Sequence, residues 1–147
     1  MNSKQLNNVS QRNLLLLGAA LVIVGSFLPW KIEGDFVSNW HYGIQIFPNF
    51  EDNGGILVSL FGIFIILLTL RPKEFVRFRE KWILISATSL FIIFAYHIGD
   101  WFVRRVASSG TIGAPAIKIG LMLVGMGAII NLATAIVMNS RDSANNV

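Results

Sequence analysis

Asn53-Gly54-Gly55-Ile56-Leu57-Val58-Ser59-Leu60-Phe61-Gly62-Ile63-Phe64-Ile65-Ile66-Leu67-Leu68-Thr69-Leu70 runs for eighteen residues without a Lys, Arg, Asp or Glu, and Arg71-Pro72-Lys73 ends it. At 1.5 Å per residue such a helix reaches about 27 Å, close to the roughly 30 Å hydrocarbon core of a bilayer. Three further charge-free intervals repeat the pattern: Asn13 to Trp30, Trp82 to Gly99 and Ile119 to Ser140. The chain is therefore expected to cross a membrane four times, over about 13–30, 53–70, 82–99 and 117–138, as a single membrane domain covering 1–147.

The rest of the composition agrees. Of 147 residues, 54% are hydrophobic and 14% charged, with a mean hydropathy of +0.62. All twenty charges fall in the 71 residues outside the four intervals, a density ordinary for a soluble surface. This alternation excludes a soluble globular domain, a disordered chain and a nucleic-acid binder, despite a pI near 9.9. Cysteine is absent, which excludes a thiol relay, covalent c-type haem, an iron–sulfur cluster and a thiolate zinc site. The first interval is followed by Phe27-Leu28-Pro29-Trp30 with no small-x-small cleavage pattern, so it is expected to be a retained helix rather than a removed leader.

Orientation follows from the basic residues. Lys4, Arg12, Arg71, Lys73, Arg77, Arg79, Lys81 and Arg141 fall on one side, against Lys31, Arg104, Arg105 and Lys118 on the other. The positive-inside rule then places both termini and the middle loop in the cytoplasm of a cell-membrane protein. With loops of 22, 11 and 19 residues, the expected fold is all-α, a four-helix antiparallel bundle. Trp82 and Trp101, about 28 Å apart along a helix, suit interfacial anchors at opposite faces, and Trp30 is expected to anchor the outer end of the first span.

Gly18 and Gly25 in the first span, Gly55, Gly62 and Thr69 in the second, and Gly113, Gly120, Gly127 and Thr134 in the fourth recur every seven residues. Two helical turns separate each pair, so the small side chains line stripes where a neighbouring helix approaches closely. The third span supplies bulky Phe91, Phe94 and Tyr96 to pack on those grooves. Residues 55–69 also match 120–134 at five positions of fifteen; duplication of a hairpin and coincidence within a restricted alphabet both yield such an echo.

Few residues carry chemistry. His97 lies within a span three residues before Asp100, while the other histidine, His41, lies in a loop. Asn131 follows Gly127 by four residues, which turns it onto the glycine stripe. Ser89 lies at a depth where it can meet Asn131 in an interhelical polar clasp, and Ser86 lies one turn nearer the inner side. Asp35, His41, Glu51 and Asp52 share the outer loop but fit no ligand spacing, so neither a metal nor a cofactor is expected. The run Gly43-Ile44-Gln45-Ile46-Phe47 alternates as a short strand does. On the inner side, Lys73, Arg77 and Lys81 recur every four residues beside Phe75, Phe78 and Trp82, a basic amphipathic turn suited to lipid headgroups. No catalytic constellation is present in the sequence.

Gly25-Ser26-Phe27-Leu28-Pro29-Trp30, then Asp52-Asn53-Gly54-Gly55, then Gly120-x-x-x-x-Gly125-x-Gly127, resembles small four-span prokaryotic membrane proteins of uncharacterised families. The resemblance covers most of the chain and implies an integral cell-membrane protein, with no catalytic residue at any position. Claudin and tetraspanin plans need loop cysteines, and small multidrug exporters need an acidic residue in the first helix; neither is present. Three readings of function stay open. One is an accessory or scaffolding subunit packing against other membrane helices or against itself. The second is a small homo-oligomeric transporter or channel lined by Asn131, Ser89 and His97. The third is a quinone- or haem-associated subunit using His97.

Overall fold

Pro29 has no amide hydrogen and disfavours helical geometry at Leu28, so the first helix ends just before it. In the computed structural model, which describes residues 3–33, 39–42, 54–71, 79–107 and 116–144, helix α1 spans Ser3–Phe27 and Leu28 N–H donates back to the Gly25 carbonyl at 3.3 Å. Helix α2 spans Gly54–Leu70, α3 spans Arg79–Ala107 and α4 spans Ile119–Ala144. Four helices are present among the described residues, and α1, α3 and α4 are each long and apolar enough to cross a membrane. The α2 helix has 17 residues, a reach of about 26 Å, and is apolar almost throughout.

The helix ends depart from the charge-free intervals for local reasons. The α3 helix runs past Gly99 to Ala107, 29 residues or about 43 Å. Its last turn carries Arg104 and Arg105, where cations complement the exposed carbonyls of a helix C-terminus. Arg104 Nε also donates to Asp100 Oδ1 one turn earlier, at 2.9 Å. The Arg104–Arg105 pair thus has a local structural cause on α3, independent of topology.

Beyond the helices, a three-stranded sheet joins the segment after α1 to the segment before α4. Strand β1 (Pro29–Glu33) lies in the middle, with β2 (Asn39–Tyr42) antiparallel on one side and β3 (Ala116–Ile117) antiparallel on the other. Lys31 pairs with His41 and with Ile117, and the register shifts between Pro29 and Lys31. That irregularity leaves Trp30 opposite no β2 residue, and its side chain is 3% exposed. A bulge re-aims a side chain in this way. Lys118 N–H donates to the Trp30 carbonyl at 2.9 Å, tying the residue before α4 to strand β1.

One expectation is corrected here. Trp30 is not an interfacial anchor ending a helix: it is a buried strand residue whose Nε1 donates to the Gly25 carbonyl at 2.9 Å. The fold is helical as expected, with Pro29–Glu33, Asn39–Tyr42 and Ala116–Ile117 added as short strands; the expected strand over Gly43–Phe47 lies outside the described residues. The core is formed by Leu15, Ala19 and Val22 of α1, Val58 and Ile65 of α2, Ile83, Ala87 and Leu90 of α3, and Leu121, Val124 and Ala128 of α4.

Candidate functional site

The glycine stripes meet inside the chain. A Cβ on Gly18 would lie 2.5 Å from Asn131 Oδ1 and 3.0 Å from the Gly127 carbonyl. One at Gly25 would lie 2.7 Å from the Gly120 carbonyl. Rising numbers in α1 therefore face falling numbers in α4, along a seam too close for a side chain at any of these glycines. At its outer end Gly120 faces three backbone oxygens, where a Cβ would sit 2.6 Å from Leu28 O, 2.7 Å from Pro29 O and 2.8 Å from Gly25 O.

Gly62 opens a second groove, in which Ile23, Val22 and Ala19 of α1 lie 2.9 to 3.4 Å from where its Cβ would be. Val22 is thus wedged between two glycines, one γ-methyl toward Gly62 and the other toward Gly127. Gly55 is likewise buried. The sequence reading left Gly125 out of the packing set, although it holds the Phe94 ring of α3, with the ring edge 2.5 Å from its absent Cβ. The signal was in the sequence, since Phe94 is one of the bulky residues expected to need a groove. Phe91 and Tyr96 do not share that role, being 37% and 70% exposed.

Most buried polar side chains satisfy themselves locally. Ser26 and Ser59 share a hydrogen bond at 2.5 Å across α1 and α2, and Ser26 also donates to the Ile23 carbonyl. Thr69 donates to Ile65 O, Thr134 to Ile130 O and Ser86 to Trp82 O, each one turn back on its own helix. Ser89 does the same, donating to Ile85 O at 3.0 Å. The expected Ser89–Asn131 clasp is therefore not formed, because Asn131 has no hydrogen-bond partner and its amide is turned onto Gly18 of α1.

At the end of the bundle that carries the sheet, His97 lies edge-on to Trp30, ring centres 4.9 Å apart, and edge-on to Tyr96 at 5.5 Å. Its Nε2 occupies the space a Gly54 Cβ would need, 2.7 Å away, so the first residue of α2 is a glycine because an imidazole nitrogen lies against it. Asp100 engages Arg104. His41 lies in β2, opposite Lys31 in the register.

Of the inner basic turn, Lys81 and Trp82 begin the exposed side of α3, and Arg79 donates to the Arg71 carbonyl at 3.2 Å. Lys73 and Arg77 lie outside the described residues, as do Asp35, Glu51, Asp52 and Gly113. Among the described residues no group of three His, Cys, Asp or Glu side chains is placed to hold a metal ion.

One feature was missed from the sequence altogether. Ile85, Thr88, Ile92, Ala95, Gly99, Phe102 and Val106 recur at alternating steps of three and four along α3, and every one is exposed. Gly99 sits on this face with nothing within 4 Å of a Cβ built on it, unlike Gly18, Gly25, Gly54, Gly62, Gly120, Gly125 and Gly127. A span read for apolar content gives no face; the step of 3.5 residues would have given it.

No family model matches the chain, and no curated protein matches it at a significant level. The resemblance to four-span prokaryotic membrane proteins therefore rests on the quoted residues alone.

Proposed function

We propose that this chain is an integral cell-membrane protein whose four helices cross as an antiparallel bundle, with both ends cytoplasmic. We propose further that it serves as an accessory or scaffolding subunit. The crossing rests on three helices of sufficient length and on α2, whose reach of about 26 Å falls a few ångströms short of a bilayer core. Local thinning accommodates such a mismatch at modest cost. The orientation rests on eight of twelve Lys and Arg falling on the side of the termini.

The accessory role rests on one observation, the use of glycine. Helices gain nothing in lipid by hiding oil, so close approach at small residues supplies the association. The chain spends Gly18, Gly25, Gly62, Gly120, Gly125 and Gly127 on its own helices. Among the described residues, only the α3 face with Thr88, Ala95 and Gly99 keeps small residues turned outward with open space at the glycine, and the partner proposed for it is a helix of another membrane protein.

The absence of cysteine makes the test direct. Single cysteines placed at Ala95 and Gly99, with controls at Ile63 of α2 and Ile129 of α4, are crosslinked in native membranes and the adducts identified by mass spectrometry. The scaffold reading expects one distinct membrane protein at the α3 positions and none at the controls. A homodimeric adduct would favour the oligomeric transporter or channel, and equal capture at all four positions would refute a dedicated face. A visible absorption band in the purified protein would favour the haem- or quinone-bound alternative at His97.

A further inference from the structure

Gly54, the first residue of α2, is closed in by side chains of two other elements. A Cβ built on it would lie 2.7 Å from His97 Nε2 of α3 and 3.5 Å from Trp30 Cζ3 of β1. Trp30 in turn lies edge-on to His97, ring centres 4.9 Å apart, and its Nε1 donates to Gly25 O near the end of α1. Lys118 N–H, one residue before α4, donates to Trp30 O. The imidazole of His97 therefore stands at a junction through which the sheet-bearing ends of all four helices are joined.

The start of a helix presents N–H groups that no carbonyl of its own turn accepts, and a partial positive charge with them. An imidazole nitrogen without a proton brings a lone pair to that place, whereas the protonated ring brings a second donor and a full positive charge. The charges around the junction do little to offset that proton. The α1 helix has no ionisable side chain after Arg12, and α2 has none over Gly54–Leu70. Toward α4 the nearest is Lys118, itself a cation. On α3, Tyr96 lies edge-on to the ring, and Asp100, one turn on, is engaged by Arg104 at 2.9 Å. The sheet carries Lys31 and Glu33 on β1 and His41 on β2; Glu51 and Asp52, which precede α2 in sequence, lie outside the described residues. We propose that His97 is an acid-released latch on α2: unprotonated, its Nε2 holds the first turn of α2 against α3 and Trp30, and on gaining a proton the ring is driven off that helix start and the turn comes loose. Gly54 lets the nitrogen reach the helix, since any side chain there would take its place. The latch works within one chain and does not depend on the partner proposed for the α3 face.

Hydrogen–deuterium exchange of the full chain in lipid nanodiscs, corrected for the intrinsic effect of pH on exchange, reads the first turns of α2 directly. Histidine changes charge between about pH 7.5 and about pH 5.5, so over that range the protection of Gly54–Leu60 should fall several-fold in the wild type. Protection of Ile65–Leu70 and of Leu121–Ala128 should stay as it was. The step should be absent in His97→Gln, whose amide gains no charge on acidification. His41→Gln removes the only other histidine in the chain and should keep the step, which carries the assignment if His97→Gln fails to fold. Protection that holds or rises on acidification in the wild type would overturn the proposal. So would a step that survives in His97→Gln, one that vanishes in His41→Gln, or loosening that spreads equally to Ile65–Leu70 and Leu121–Ala128.

Discussion

Replacing Gly120 by alanine adds one methyl group at the place where α4 starts against the end of α1. That methyl would meet Leu28 O, Pro29 O and Gly25 O at 2.6, 2.7 and 2.8 Å, and ordinary contact begins at 3.4 Å. All three oxygens belong to the backbone, so no side chain can swing aside, and α4 must withdraw from α1 by about 0.6 to 0.8 Å. Overpacking of this kind costs roughly 1–3 kcal/mol. The withdrawal also pulls on the Lys118 N–H to Trp30 O bond, 2.9 Å long in the native chain. At about 3 °C per kcal/mol for a chain of this size, a loss near 2 kcal/mol lowers the melting temperature by about 6 °C. Gly99→Ala is the matched control: its methyl enters open space, and alanine exceeds glycine in an exposed helix by roughly 0.5–1 kcal/mol. Tryptophan fluorescence melts in one detergent should therefore move in opposite directions, down for Gly120→Ala and unchanged or up for Gly99→Ala. If Gly120→Ala melts within a degree of the wild type, or if Gly99→Ala is the worse of the two, the seam geometry described here is wrong.

Other outcomes follow from single contacts. Trp30→Phe keeps a ring beside His97 but loses the Nε1 donation to Gly25 O, so thermal stability should fall by about 1 kcal/mol; no change would show that the Gly25 carbonyl finds another donor. Ser59→Ala removes the hydrogen bond to Ser26 across α1 and α2, and a double-mutant cycle with Ser26→Ala should return a coupling of about 0.6 kcal/mol, whereas zero coupling would deny the bond. Gly62→Ala meets the side-chain carbon of Ile23 at 2.9 Å and no backbone atom under 3.4 Å, so its melting temperature should fall less than that of Gly120→Ala. For topology, cysteines introduced at Ser3 and Ser143 should react with an impermeant maleimide from the cytoplasmic side only, and one at Asp35 from the outer side only; labelling of the first two from opposite sides would end the four-crossing proposal.

How far the sequence could be read depended on the period of each signal. Charge-free runs located all four helices, because the cost of placing ions in hydrocarbon acts on composition and needs no geometry. Gly18, Gly25, Gly62, Gly120 and Gly127 were legible as a packing set, since a step of seven keeps them on one side of a helix, and a Cβ on any of them would come within 3.0 Å of a neighbouring helix. Which helix each one faced was not legible, because a stripe has a direction only once its partner is placed. Strands β1, β2 and β3 were too short to alternate visibly, and the bulge that turns Trp30 inward belongs to the pairing of β1 with β2, a register that short strands do not announce. Asn131 was placed on the correct stripe, but its expected partner Ser89 already bonds its own helix at Ile85 O. Serine in an apolar helix can always reach back one turn, so depth alone does not predict a clasp.

The echo between residues 55–69 and 120–134 shows how a packing demand can write similar sequence into two helices. Gly62 and Gly127 occupy equivalent places in that alignment, and both touch Val22 of α1. Thr69 and Thr134 are equivalent too, and each donates to the carbonyl four residues earlier. The α2 and α4 helices flank the same helix, so each must present a small residue to Val22 and a threonine that satisfies its own hydroxyl. Selection for those two features accounts for the recurring glycine and threonine without a duplicated ancestor. The α3 helix, which presses Phe94 into Gly125 of α4 instead, has neither feature at that spacing. A duplicated hairpin would have carried its first helix along with its second, and α1 and α3 share no such pattern. Val22→Ala then separates the two accounts. If Val22 is the shared cause, its loss relieves both grooves together, and Gly62→Ala and Gly127→Ala should each cost less in the Val22→Ala background than in the wild type. Additive costs in that cycle would return the echo to common descent.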